Sequence, residues 1–250
     1  MVFRARTRST EEWKAVASAI STLVDEATFE ANIEGISFRG MDPSHVALID
    51  IHWPNTTFES FECDSAVKFG VRIDELLKVI RRGEKKDSVE MSLAEDSTLL
   101  VKMHDGYRRE YKMRLIESSA SATPLPKLSF NTKAVLVAGA FDRILSDINI
   151  VSEYLSIKSE TSAIHFSGKG DSGEAEITLD PKSEGLEELN VKEHSSATYS
   201  IDYLSKVTKA ISTTGGSIAA EFSSKMPIRL EFRVLNLGRI HFYLAPRVQD

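Results

Sequence analysis

Cysteine is nearly absent: Cys63 stands alone in 250 residues, so no internal disulfide framework can form, and the usage fits a reducing compartment. Long apolar runs are missing too. The longest mainly apolar stretch, Ala134 to Phe141, is far too short to span a bilayer. Arg4, Arg6 and Arg8 near the start are followed by no apolar core of a secretory signal. The expectation is a soluble, intracellular chain with no membrane partner. There is no basic excess either. With 31 Lys and Arg against 37 Asp and Glu the net charge is −6, which taken alone argues mildly against a nucleic-acid binder, unless basic residues are segregated on one surface. The six histidines are scattered, none paired at metal-ligand spacing with a cysteine or carboxylate cluster. Neither a metal nor a cofactor is expected.

What the chain does have is 42% hydrophobic residues and an internal repeat. Ile36-Ser37-Phe38-Arg39-Gly40 lies over Ile164-His165-Phe166-Ser167-Gly168, an offset of 128 residues (164 − 36). The same offset sets Trp13 over Phe141, Ile20 over Ile148, Ile49 over Ile177, Ile73-Asp74 over Ile201-Asp202 and Lys78 over Lys206. Matches along three stretches in one register indicate two tandem copies of one fold. In each copy, alternating strand-like segments are interrupted by two amphipathic helices. Trp13, Val16, Ala17, Ile20, Leu23 and Val24 mark the first helix, with Thr10 as its expected N-cap; Ile73, Leu76, Leu77 and Ile80 mark the second, ended by Gly83. Their counterparts carry Phe141, Ile144, Leu145 and Ile148, then Leu204, Val207 and Ile211 ahead of Gly215-Gly216. Serine, alanine and paired prolines between the copies read as an extended linker. These features predict an α+β chain with a domain over 1–116, a connector over 117–127 and a second domain over 128–250.

Gly168-Lys169-Gly170-Asp171-Ser172-Gly173 matches the dinucleotide-binding pattern G-x-G-x-x-G. That site needs a helix to open there, so that its N-terminus can hold a pyrophosphate. Glu174 to Leu179 instead alternates like a strand, so the expectation is a hairpin turn; a nucleotide-dependent enzyme built on this loop is the remote alternative. Asp50 and His52 share one strand face and read as a solvated pair. Two strands carry opposite charge: Arg108, Lys112 and Arg114 share a face, with Glu110 against the trend, whereas Glu174, Glu176 and Asp180 share another. Lys78, Arg81 and Arg82 fall on the polar side of one helix, and Lys206 and Lys209 on the same side of its repeat.

Gly35-Ile36-Ser37-Phe38-Arg39-Gly40-Met41-Asp42-Pro43-Ser44-His45-Val46 resembles the first-domain motif of archaeal and eukaryotic sliding clamps, the proliferating cell nuclear antigen family. Leu244-Ala245-Pro246-Arg247 resembles that family's closing signature, and the likeness covers essentially the whole chain. The resemblance implies the DNA clamp fold, a closed ring of three two-domain subunits with helices lining the hole and sheets outside. It implies a non-enzymatic processivity factor that encircles duplex DNA nonspecifically, with a checkpoint-type clamp or one subunit of a heterotrimer as the alternative. It further implies partners of the polymerase, clamp loader, flap nuclease and ligase type, bound through a short peptide motif. The setting would be the cytoplasm or nucleoid of an archaeon, or a eukaryotic nucleus. Residue by residue, DNA contact is expected at Lys14, Lys78, Arg81, Arg82, Arg143, Lys206 and Lys209. Partner docking is expected at Met41, His45, Val46, Leu48, Leu125, Pro126, Pro227, Tyr243, Ala245 and Pro246. The subunit interface is expected at Arg108, Tyr111, Lys112, Arg114, Glu174, Glu176, Ile177 and Leu179. The chain departs from the family in having Lys14 and Arg143 as lone bases on the first helices, and few acids in the connector.

Overall fold

The computed structural model describes residues 2–94, 97–117, 123–211, 216–234 and 238–248; the linker residues 118–122 and Gly215 lie outside the described residues. The chain divides into two compact units. One comprises Met1–Pro43, Ile49–Pro124 and Arg233–Ile240, the other Ser44–Leu48, Leu125–Phe232 and His241–Asp250.

The first copy of the repeat runs β1 (Phe3–Thr7), α1 (Thr10–Ser21), β2 (Glu26–Asn32), β3 (Gly35–Met41), β4 (Ala47–Pro54), β5 (Ser60–Cys63) and β6 (Val67–Arg72). It continues with α2 (Ile73–Ile80), β7 (Ser88–Ala94), β8 (Thr98–Asp105) and β9 (Tyr107–Arg114). The second copy runs β10 (Thr132–Val137), α3 (Ala138–Ile148), β11 (Tyr154–Glu160), β12 (Ala163–Gly170), β13 (Gly173–Leu179) and β14 (Leu186–Val191). It closes with β15 (Ser195–Ser200), α4 (Ile201–Ile211), β16 (Ser217–Phe222), β17 (Ile228–Val234) and β18 (Gly238–Leu244). Moved by 128 residues, β2 coincides with β11, β6 with β15, and the starts of α1 and α2 with those of α3 and α4. The predicted tandem fold is what forms.

In the first copy β5, β1, β7, β8 and β9 follow one another in an antiparallel sheet, and β6, β2 and β3 pair in turn. In the second, β13, β12, β11 and β15 form an antiparallel sheet, and β14, β10, β16 and β17 pair likewise. Helix α1 packs beside α2, and α3 beside α4. Each buries the apolar stripe that its spacing predicts: Trp13, Val16, Ala17 and Ile20 are at most 1% exposed. The core of the first unit is a run of rings, with Trp13 at 4.7 Å from Trp53 and 6.0 Å from Phe29, and Phe29 stacked at 5.5 Å on Phe69, its cross-strand neighbour. In the second copy Phe141 takes the place of Trp13, 6.3 Å from Phe166.

Three expected boundaries move. Helix α1 stops at Ser21, so Leu23 and Val24, read as its last apolar positions, follow the helix. Ser9, not Thr10, caps α1, its hydroxyl accepting from the Glu11 N–H at 3.0 Å. Thr10 is buried and donates instead to the Glu84 carbonyl at 2.8 Å, a partner that local sequence does not reveal. Helix α2 ends at Ile80 with Arg81 as its cap, ahead of Gly83. Gly83 is needed for close approach, because a Cβ there would lie 2.3 Å from the Thr10 methyl.

Glu12 is a charge placed inside. It is 6% exposed and one carboxyl oxygen has no hydrogen-bond partner. Burial pushes its pKa up to about 7, against the opposing pull of Thr7 and Arg8. The folded pKa exceeds the unfolded value, so this carboxyl costs nothing while protonated in both states and destabilises increasingly as pH rises from about 4.5 to about 7. The full cost is on the order of 3 kcal/mol. Glu12→Gln is therefore expected to flatten the fall in melting temperature across that window, measured by calorimetry at a series of pH values; an unchanged slope would refute it.

Candidate functional site

The helix bases sit in repeated settings. On α2, the Lys78 ammonium lies 3.0 Å from Asp74; on α4, Lys206 lies 2.7 Å from Asp202. Both pairs are four residues apart and exposed, and exposed pairs of this kind contribute little to stability. The Lys78 contact holds Asp74's carboxyl below its ordinary range. A phosphate can therefore compete for either ammonium at little cost. Arg81 and Arg82 are exposed just beyond α2, and Lys209 is exposed on the last turn of α4. The first helices differ. Lys14 is bound by Glu11 at 3.2 Å and by the Gly83 carbonyl at 3.1 Å, an engagement that ties α1 to the turn after α2. Exposed Arg143 donates to the Gly139 carbonyl one turn back at 3.3 Å.

The two oppositely charged strands both stand at sheet edges, β9 beside β8 and β13 beside β12. Such edges present unpaired backbone groups that can template another chain. Along β9, Arg108, Glu110, Lys112 and Arg114 are exposed, while Tyr111 on the alternate face is half-buried. Along β13, Glu174 and Glu176 are exposed and Ile177 and Leu179 half-buried. Asp180 falls one residue past β13, where its carboxylate accepts from the Lys182 N–H at 2.8 Å.

In the second unit, the Val46 carbonyl accepts from the Ala245 N–H at 2.8 Å. Val46 is 37% exposed and Leu125 38%, while Leu48 and Tyr243 are buried. His45 and Pro126 are exposed, and Pro227, Ala245 and Pro246 half-buried. His45 adopts φ 60°, a left-handed bend directly before Val46. Met41, half-buried, ends β3 in the first unit. Residues that the sequence did not single out also act here. Arg247 donates its N–H to the Thr198 carbonyl at 2.7 Å and lays its guanidinium 4.0 Å from the Tyr154 ring, so the closing segment lies against β15. Arg109 bonds Asp87 in the first unit. Its signal was a charge on the covered side of β9, in phase with Tyr111 and Met113.

The glycine-rich loop is a hairpin. β12 turns into β13 through Asp171 and Ser172, with Gly170 paired to Gly173, as its alternation predicts. A Cβ at Gly170 would lie 2.1 Å from the Val151 carbonyl oxygen, and one at Gly168 would lie 2.4 Å from Ile148. These glycines let the strand pass close under the end of α3, a packing role rather than a phosphate cradle. Among the described residues no His, Cys, Asp and Glu grouping could hold a metal, and no helix is long and apolar enough to cross a membrane.

The family models that match are those of proliferating cell nuclear antigen, its N-terminal domain over residues 2–120 and its C-terminal domain over 124–247. A DNA polymerase sliding clamp of Nitrosopumilus maritimus is 59% identical over the full length of both chains. One of Cenarchaeum symbiosum is 54% identical, again over both full lengths. Among solved structures, proliferating cell nuclear antigen of Thermococcus kodakaraensis superposes with a TM-score of 0.94 at 25% identity, over 98% of this chain and all of that one.

Proposed function

The chain belongs to the proliferating cell nuclear antigen family and is a DNA sliding clamp, a processivity factor of replication and repair; from that premise we propose how its surfaces divide the work. Three copies close into a homotrimeric ring around duplex DNA, with the basic residues of α2 and α4 towards the DNA and β9 of each copy joined to β13 of the next. The domains run over 1–116 and 128–250. The connector over 117–127 helps to seat short motifs of polymerase, clamp loader, flap nuclease and ligase-type partners, beside Val46, Leu125, Pro126, Ala245 and Pro246. The clamp works in the cytoplasm, as a tether and without catalysis.

The observation that carries the DNA-facing assignment is the duplicated Asp–Lys step on α2 and α4, with Arg81, Arg82 and Lys209 at the helix ends. Bases three or four residues apart share one side of a helix. That side lies away from the buried stripes of Leu76 and Ile80, or of Leu204 and Val207. In a trimer this face would occur six times around the wall, while a net charge of −6 discourages DNA from settling elsewhere. Weak phosphate contacts without base readout hold DNA yet let it slide. Lys14 contributes less, because its ammonium is engaged within the first unit.

Replacing Lys78, Arg81, Arg82, Lys206 and Lys209 together by alanine is expected to shorten retention on circular duplex DNA. The salt slope should fall by about 1 for each phosphate that is no longer neutralised. Assembly mass and peptide binding should survive. Equal retention with an unaltered salt slope would show these residues to be a solvated face.

A further inference from the structure

Arg39 lies on the solvent side of β3, opposite in phase to buried Phe38. Its guanidinium has two partners on different segments. Nε donates to Asp50 Oδ1 on β4 at 2.8 Å, and Nη1 donates to the Thr123 carbonyl at 3.3 Å. The Asp50 side chain is the more covered of the pair, 17% exposed against 38% for Arg39. An ion pair this close to water adds little to fold stability. What it does is fix the plane of the fork, and a fixed guanidinium places its remaining donors at set directions. One of those donors holds the backbone two residues ahead of Leu125. Two residues of extended chain reach at most about 7 Å, so a held Thr123 leaves Leu125 a short tether.

We infer that Arg39, oriented by Asp50, is a positioning residue for partner docking: it holds the connector at Thr123, so that Leu125 and Pro126 are pre-set before a partner arrives. The inference rests on the docking role proposed above for Leu125 and Pro126. Ordering a loop on binding costs affinity, and a loop ordered in advance returns that cost as tighter binding. The effect falls on partner affinity and on the connector, not on the ring or the DNA-facing helices.

The test uses the full chain and a short synthetic peptide carrying paired aromatic anchors, titrated calorimetrically. Arg39→Ala is expected to weaken peptide binding by roughly three- to tenfold, the loss of one charge-assisted hydrogen bond near the surface. Amide exchange over residues 123–128 should speed up, while assembly mass and melting temperature stay put. Asp50→Asn should reproduce part of the loss, because the fork is then unanchored. Arg39→Lys should recover only part of it, since one ammonium replaces a two-partner fork. Unchanged affinity in Arg39→Ala overturns the inference, whether or not exchange over 123–128 has moved. A parallel Leu125→Ala, Pro126→Ala variant separates the two readings. If that variant loses the peptide and Arg39→Ala does not, the positioning role alone fails. If that variant binds normally, the docking assignment fails and this inference falls with it.

Discussion

A chain carrying Lys112→Glu and Arg114→Glu is expected to run as a monomer of 27.8 kDa in light scattering, where the unaltered protein is expected to run as the proposed trimer. Two edges meet the physical needs of such an assembly. β9 offers exposed Arg108, Lys112 and Arg114, and β13 offers exposed Glu174 and Glu176. Both lie on one chain but belong to different sheets, so pairing one with the other is heterologous, head to tail. Heterologous contacts either close into a ring or run on as a filament, and a rotation of one-third of a turn per copy closes three. In the proposed ring the backbone ladder and the half-buried Tyr111, Ile177 and Leu179 would supply cohesion. The charges would choose the partner and the register, because like charges facing each other across an interface cost several kcal/mol. Reversal at two positions sets glutamates against Glu174 and Glu176 while leaving the strand's hydrogen bonds and apolar residues in place. The loss should thus be of assembly and not of fold, which the melting temperature can check. Mixing the reversed chain with one carrying Glu174→Lys and Glu176→Lys should restore hetero-oligomers through the complementary edges. A wild-type chain that stays monomeric at high concentration and assembles only with a different subunit would sink the homotrimer.

Much of this molecule is legible in its sequence because duplication writes the same periodicities twice. The register that carries Ile36 onto Ile164 also carries β2 onto β11 and β6 onto β15, since each pair must bury the same face against equivalent helices. The hairpin at Gly168–Gly173 follows from alternation alone, as Glu174 to Leu179 has period two and no helix can open there. Long-range polar pairs are what the sequence hides. Ser9 and Thr10 are both plausible caps locally, and only the Glu84 carbonyl, which the chain brings back 74 residues later, decides between them. Arg39 lies within a recognised motif, yet its task depends on partners 11 and 84 residues away. Glu12 reads as a first-turn acid favoured by the helix dipole, and nothing nearby announces that it will be covered.

Loss of Arg109 should damage the first unit strongly. Asp87 is fully buried, its carboxylate bonded to the Arg109 guanidinium and accepting the Glu84 N–H at 2.8 Å. Arg109 also donates from Nη1 to the Arg82 carbonyl at 2.7 Å, and its guanidinium lies 5.0 Å from the Tyr107 ring. One side chain of the edge strand β9 thus fixes the turn that follows α2, which carries Arg81 and Arg82. A buried ion pair is itself a weak source of stability, because desolvation offsets most of its attraction, but removing one member strands the other charge without compensation. Arg109→Met keeps the aliphatic stem and deletes the charge, so it is expected to cost about 3–5 kcal/mol. At about 2–4 °C per kcal/mol, the transition of that unit should fall by roughly 6–20 °C. Asp87→Asn alone should also destabilise, whereas the double variant should recover a good part of the loss, since neither charge is then stranded. A double-mutant cycle followed by calorimetry measures that coupling directly. Because β9 and the Arg82 turn share this anchor, the single variant should also weaken assembly and DNA retention together, below its new melting temperature. Additive losses in the cycle would mean that Arg109 and Asp87 act independently, and the anchor would then have to be sought in the Arg82 carbonyl bond alone.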